Sequence, residues 1–320
     1  MRFGIIGFGS IGRRHAENLQ ILGIHDVVLL REMGSGNHLD LKEVPDLEAF
    51  LGSGVDQVIL SNPTSMHMAY LDKLMDRDIN ILSEKPLLGR AEEIEEMVSR
   101  LSGYKGLGMV AYNMRFHPCI RELKNILDER ALGNVYSARL FVGQYLPDWR
   151  PKGDYRQTYS ALKALGGGVG LDLIHEIDLA IHLFGDVGEH FFAMADRVSQ
   201  LEIDTEDLVE ILYKSKQGQF VSIHLDYLTR GYRRDILITG EFGELRVDLG
   251  LATMELKDLS GRVAERWSFP DFKKNDMYLD LLRTFIAFIK KGSTPSPSFQ
   301  DGLVSNKVAF KAREEYYHGK

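Results

Sequence analysis

Lys85 stands between Glu84 and Pro86 at the end of an apolar run, Ile79-Asn80-Ile81-Leu82-Ser83. The run reads as a strand, and a lysine at the carboxyl end of a parallel strand lies where α/β sheets bind ligands. Pro86 biases the residue before it towards an extended backbone. An ammonium group held there can hydrogen-bond a ligand hydroxyl, and positive charge nearby lowers its pKa towards a range useful for proton transfer. The plainer reading is a surface Lys-Pro in a loop. A second constellation follows Gly166-Gly167-Gly168. If Leu171 to Leu183 is one helix, Asp172, His175 and Asp178 recur every three residues and share a face beside Leu171 and Leu179. A carboxylate beside an imidazole raises its pKa and orients it, which suits a general base. The plainer reading is a helix N-terminal acid with a satisfied buried histidine. The same residue types can ligate a metal, but no further His/Asp cluster stands near in sequence, so no metal is expected.

Gly7-Phe8-Gly9-Ser10-Ile11-Gly12 gives these groups a partner. The motif follows an apolar strand, Phe3 to Ile6, and opens a helix. Gly7 permits the tight turn, Gly9 lets backbone approach a pyrophosphate, and Gly12 lets helix and strand pack closely. Ser10, Ile11 and Arg13 lie at the helix N-terminus, whose N–H groups and partial positive charge favour phosphate. A glycine-rich turn without a ligand is the alternative. The next strand, Val27 to Leu30, runs into Arg31-Glu32. An acid at that strand end bonds the ribose 2′-hydroxyl of NAD, whereas an arginine accommodates the 2′-phosphate of NADP. NADP is expected if Arg31 is terminal and NAD if Glu32 is; the reading leans to NADP. A proton-handling lysine inside a dinucleotide-binding unit points to redox chemistry.

The elements that must position these residues change character along the chain. Up to about residue 117 strands and helices alternate, the pattern of a doubly wound parallel sheet. Val55 to Leu60 and Leu107 to Ala111 are further strands; His67 to Arg77 and Ala91 to Leu101 are helices, the latter with Ile94, Met97, Val98 and Leu101 on one side. Pro118 begins a helix, after which long strands dominate: Val135 to Leu146, His190 to Val198, Leu208 to Tyr213, Phe220 to Tyr227, Asp235 to Thr239 and Leu245 to Asp248. Short turns join several of them, so an open, mostly antiparallel sheet is expected. Asp276 to Lys290 and about Gln300 to Tyr316 read as helices. The expected division is an α/β Rossmann domain over 1–117, an α+β domain over 118–294, and a C-terminal helix over 295–320 that packs back on the first domain.

Composition narrows the partners. The net charge is −7 with no basic run, which argues against nucleic acid and anionic membrane surfaces. No apolar run approaches the ~20 residues that span a bilayer. The first residues form a strand rather than a leader, and Cys119 is the only cysteine. A cytoplasmic location is expected.

The order of the motifs resembles that of the Gfo/Idh/MocA oxidoreductases over nearly the whole length. The resemblance rests on the glycine motif, Asn62-Pro63-Thr64 with His67, Glu84-Lys85-Pro86, and Tyr112-Asn113-Met114-Arg115-Phe116-His117-Pro118. It also rests on the triple glycine with Asp172, His175 and Asp178, and on Asp301-Gly302 and Gly319-Lys320. It implies a Rossmann domain followed by an α/β domain with an open antiparallel sheet used to form a homodimer or homotetramer. It implies NAD(P)-dependent oxidation or reduction of a hydroxyl or keto carbon on a sugar, cyclitol or sugar derivative. Asn62, Pro63, Glu84, Lys85 and Asn113 would join the glycine loop and Arg31 around the cofactor. Lys85 would assist, His175 would act as acid/base, and Asp172 would hold substrate or histidine. One departure stands out: the family usually places its histidine four residues after the aspartate, and here the step is three. That step either rotates His175 by about a quarter turn or is absorbed by a bulge, and Asp172 or Glu176 could take over part of its role.

The stretch Leu146 to Arg156 adds a specificity candidate. Arg115, Arg150, Lys152 and Arg156 with Trp149, Tyr155 and Tyr159 could make a cationic, aromatic rim suited to an anionic or nucleotide-linked sugar; an ordinary exposed loop is the alternative. Two other functions stay open at this level: a glycosidase that uses transient oxidation by NAD, and a non-catalytic regulator that binds dinucleotide on the same fold.

Overall fold

Four short apolar runs set the first sheet. β1 (Phe3–Ile6), β2 (Val27–Leu30) and β4 (Gln57–Leu60) are buried at every position, as strands of a parallel sheet covered on both faces must be. β3 (Lys42–Val44), β5 (Asn80–Ser83) and β6 (Gly108–Val110) complete it. The computed structural model, which describes residues 1–31, 39–149 and 153–318, orders the sheet β3-β2-β1-β4-β5-β6 with every pair parallel. The strand order reverses between β1 and β4, which makes a crevice at their carboxyl ends the natural ligand site. Gly7 follows β1 directly there, and the helix Ser10–Ile21 starts three residues later.

The second sheet holds β7 (Val135–Gly143), β8 (Val187–Asp196), β9 (Leu208–Ser215), β10 (Phe220–Asp226), β11 (Arg233–Gly240), β12 (Gly243–Asp248), β13 (Thr253–Lys257) and β14 (Val263–Ser268). Its order is β14-β13-β12-β11-β7-β10-β9-β8, and only β7 and β10 run parallel. Burial alternates along β9 and β10, so one face is packed and the other is open. The fold is the α/β plus open, mostly antiparallel arrangement read from the sequence. Among the described residues no helix is long and apolar enough to cross a membrane.

The chain divides into two compact units. One is Met1–Asn113 with Asn275–Asn306; the other is Met114–Lys274 with Lys307–Lys320. The helix Lys274–Lys291, placed in the second domain by its position in sequence, therefore packs almost wholly within the first unit, where Phe285 meets Phe3 edge-on at 6.4 Å. In the same unit Gly302, on the helix Phe299–His318, lies so close to Val110 and Leu87 that a Cβ would come within 2.7 Å and 3.0 Å of their side chains.

The helix expected from Leu171 to Leu183 is broken. Val169–Asp172 and His175–Phe184 are separate helices, and Leu173 between them sits at φ −98°, ψ 27°. Bonds from Ile174 N to Leu171 O and from Glu176 N to Leu173 O carry the chain across the break. Competing anchors explain it: the first piece is tied through Gly170 and Asp172, the second through Glu176 and Asp178, each to a different set of partners.

Candidate active site

In the first unit the three glycines of the loop differ in what they permit. Gly7 has φ +91°, and a Cβ there would lie 2.5 Å from Asn62 N; a Cβ on Gly12 would lie 2.1 Å from Gly7 O. Gly9 has nothing within 4 Å of its Cβ position. The first two are needed for packing, and the third leaves an open approach to backbone. No side chain caps the helix that follows, so its first N–H groups are available to phosphate oxygens. Asn62, directly beside Gly7, has both side-chain polar atoms buried without a protein partner among the described residues. Such an amide calls for an outside donor and acceptor. Ser10 and Arg13 are exposed and Ile11 half-buried at the helix start, and Pro63 is exposed beside Asn62. These residues fit a dinucleotide.

Arg13 and Arg31 both approach the Phe8 ring, with guanidinium carbons 5.6 Å and 5.5 Å from its centroid. Arg31 is 3.7 Å from Glu43 Oε1. Glu32, the other candidate for reading the ribose, lies outside the described residues.

Lys85 is half-buried two residues after β5, and its loop is pinned on several sides. Glu84 receives the Lys85 N–H at 3.3 Å and lies 2.8 Å from Nε2 of His15, which is fully buried in the glycine-loop helix. His67 Nδ1 is 3.1 Å from Pro86 O and 3.2 Å from Leu87 O, while Nε2 is 3.1 Å from Asn62 O. Burial lowers the pKa of His67, so it serves as a neutral tie between the Asn62 turn and the Lys85 loop. The Asn306 amide donates to Leu88 O at 2.9 Å and accepts Leu88 N–H at 3.3 Å. Asn113 is buried and hydrogen-bonded to Tyr278. Glu84, read from sequence as a cofactor contact, is thus seen bracing His15 and Lys85.

In the second unit Asp172 is 4% exposed and takes three hydroxyl donors. Ser160 Oγ donates at 2.6 Å, Tyr227 at 3.1 Å, and Tyr159 also donates. Burial, then the Asp172 charge, pushes the Tyr227 pKa well up, so it remains a donor. His175 begins the second short helix and is half-buried. The single helix expected to put Asp172, His175 and Asp178 on one face is broken between Asp172 and His175. Asp178 is gripped by Arg115 through bonds of 2.9 Å and 2.6 Å. Glu176, which could have stood in for His175, is gripped by Arg234 at 2.5 Å and 2.8 Å.

The cationic rim also takes a different form. The Arg115 charge is matched by Asp178. Arg156 is exposed and pairs with Asp154 at 2.8 Å and Glu202 at 2.9 Å. Tyr155 accepts the Glu202 N–H at 3.2 Å. Trp149 donates to Gln144 O at 3.0 Å and meets the Tyr227 ring edge-on at 5.3 Å, adjoining the Asp172 cluster. Arg150 and Lys152 lie outside the described residues, as do Gly319 and Lys320. Sequence reasoning missed Ser160 and Tyr227 as partners of Asp172, since neither lies on its helix or in a motif. Among the described residues no three His, Cys, Asp or Glu side chains group as metal ligands.

Comparison with known proteins adds an independent finding. A family model described as the oxidoreductase family, NAD-binding Rossmann fold, matches residues 1–112. A second, described as the GFO/IDH/MocA C-terminal domain, matches residues 120–246. Myo-inositol 2-dehydrogenase of Thermotoga maritima is 26% identical over 98% of this chain and 96% of its own. Inositol 2-dehydrogenase of Rhizobium meliloti is 24% identical over 97% of this chain and 94% of its own. A levoglucosan dehydrogenase solved with NADH and levoglucosan has the same fold, with a TM-score of 0.86 at 18% identity, covering 98% of this chain and 97% of that one.

Proposed function

Because the chain belongs to the GFO/IDH/MocA oxidoreductase family, with an NAD-binding Rossmann domain at its N-terminus, we propose that it is a dehydrogenase of a sugar, cyclitol or sugar derivative. Hydride would pass between a carbinol carbon and C4 of the nicotinamide, which supplies the redox couple. The hydroxyl proton would go to Lys85, assisted by His175, with Asp172 orienting substrate. The observation that carries this reading is the placement of Lys85. It lies two residues past the end of β5, two strands from the glycine loop that follows β1, roughly 10 Å away along the same carboxyl edge. Its loop is braced by Glu84 and His67 against both the glycine-loop helix and the Asn62 turn. A preorganised lysine side chain beside a dinucleotide cradle, a neutral amine when it takes the hydroxyl proton and an ammonium once it holds it, is what hydride-coupled proton transfer needs.

With Arg115 and Arg156 already matched by carboxylates, a neutral polyol or sugar is favoured over an anionic one. The test is NAD(P)H production with free myo-inositol, neutral sugars, sugar acids and nucleotide sugars. Net NAD(P)H with a free polyol or sugar supports the reading and separates it from a glycosidase with transient oxidation. Dinucleotide binding without turnover of any member would overturn it in favour of a regulator.

Three finer points belong to the same proposal. NADP is the preferred cofactor, supported by Arg31 and Arg13 around Phe8. Steady-state kinetics decide this: Arg31→Ala should cost NADP at least tenfold in kcat/KM and leave NAD nearly unchanged. A preference for NAD that survives Arg31→Ala would remove the role. The protein self-associates through the open face of the second sheet, where Phe192 and Met194 are each 68% exposed and Leu212 is 45% exposed. It works in the cytoplasm, whose reducing conditions suit its single, buried Cys119.

A further inference from the structure

The turn that carries Asp172 is shaped by a second buried cluster. Glu206 is 0% exposed. Its Oε1 accepts the Gly170 N–H at 3.0 Å and lies 2.6 Å from Arg313 Nε. Its Oε2 accepts the Tyr317 hydroxyl at 2.8 Å and Arg313 Nη2 at 3.0 Å. Arg313 Nη2 also donates to Gly167 O at 2.7 Å and to the Tyr317 oxygen at 2.9 Å. The Glu206 carbonyl accepts the Val169 N–H at 3.3 Å. From the other side Gly168 N donates to the carbonyl of Ser160, whose hydroxyl holds Asp172. The last turns of the helix Phe299–His318 therefore reach the catalytic-candidate turn directly through Arg313 and, by way of Glu206, through Tyr317.

Gly168 and Gly170 are explained by the same cluster, and Gly167 by the backbone packed beside it. Gly168 has φ +108°, and a Cβ there would lie 2.4 Å from both Arg313 Nη2 and Glu206 Oε1. On Gly167 it would lie 2.2 Å from Tyr159 O, and on Gly170 2.8 Å from Arg313 Cδ. Side chains have been removed from the turn so that a buried ion pair and the donors of Asp172 can close on it. A buried ion pair loses hydration on both charges, and a well-packed apolar pair would serve stability equally well. What an apolar pair could not do is bond Gly167 O and Gly170 N–H at fixed angles.

We propose that Glu206, Arg313 and Tyr317 are positioning residues for the reaction. They fix the Gly167–Gly170 turn, and through it the direction in which Asp172 and its hydroxyl donors face the substrate. This rests on the reading of Asp172 as a substrate-contacting group. It makes the C-terminal helix, far from every motif in sequence, part of the active-site support.

The test compares Arg313→Met, Arg313→Lys, Tyr317→Phe and Asp172→Asn in the full chain. Hydrogen exchange over residues 159–174 needs no substrate: Tyr317→Phe and Arg313→Met should speed it at least tenfold while the loop around Gly9 is unchanged. Turnover is then measured with the first panel substrate that yields NAD(P)H. Arg313→Met should lower kcat at least tenfold, leave KM for the dinucleotide within twofold, and be partly rescued by Arg313→Lys. Unchanged exchange overturns the proposal, and so does a kcat within twofold of wild type when Asp172→Asn has lost turnover. If Arg313→Met does not fold, Tyr317→Phe, which removes one hydroxyl, decides alone: at least a threefold fall in kcat supports the proposal and an unchanged kcat overturns it. Wild-type turnover by Asp172→Asn would instead show that the reading of Asp172 fails.

Discussion

Lys85, His175 and Asp172 differ in how firmly their surroundings commit them. Asp172 is bonded by three hydroxyls, which hold its carboxyl group in one orientation. Lys85→Met is expected to lower turnover by about 10²–10⁴-fold, the usual worth of a positioned acid or base, while dinucleotide binding by thermal shift persists. His175→Ala should cost less; a loss as large as that of Lys85→Met would return His175 to the main role. A different histidine governs pH stability. Burial pushes His117 down to about 4, with the Arg234 charge acting in the same direction. Its ring packs edge-on against Phe272 at 4.6 Å, and its Nδ1 accepts the Cys119 N–H. Between about pH 6.5 and 4 the unfolded chain binds this proton and the folded chain does not, so stability falls as pH falls through that window. The full effect is of order 3 kcal/mol. Urea unfolding of wild type and His117→Phe at pH 7 and pH 5 should show a smaller acid loss in the variant.

At the level of elements, the glycine loop makes separable predictions. Gly9 has open space around its Cβ position, whereas Gly12 abuts Gly7 O. Gly9→Ala should therefore leave the melting temperature within a degree or two of wild type and weaken dinucleotide binding. Gly12→Ala should lose both, with destabilisation of about 1–3 kcal/mol from the forced backbone shift. Equal melting temperatures for the two variants would contradict this packing. Most strands were legible because buried parallel strands are short apolar runs and half-buried strands alternate. β3 was not, since Lys42-Glu43-Val44 is three residues with one buried side chain. β13 and β14 were not either: five of the six β14 residues are exposed, so no core face marks the strand. The helix break at Leu173 was invisible for the opposite reason, because Leu173 and Ile174 are buried apolar residues that continue a helical pattern unbroken.

For the whole molecule, β8 and β9 carry an exposed apolar stripe. Phe192 pairs with Leu212 across the strands, and Met194 follows on the same open face. If this stripe joins copies of the chain, Met194→Glu should shift the sedimentation profile towards monomer at micromolar concentration while the melting profile of the first unit is kept. An unchanged oligomer would move the interface elsewhere.

The sequence by itself determined the family, the sheet types and the identity of the dinucleotide loop, because each is written in local spacing: glycine against helix start, apolar run against turn, lysine before proline. It also named Lys85, Asp172 and His175. Only the tertiary structure decided who holds them. His15 reaches Glu84, Tyr227 reaches Asp172, and Arg313 reaches Gly167 across long stretches of chain. Arg115 and Arg156, readable as free cations, turned out to be matched by Asp178 and Glu202. Charge pairing and hydroxyl donation between distant segments leave no periodic trace, since they depend on where folding brings the segments and not on their spacing along the chain.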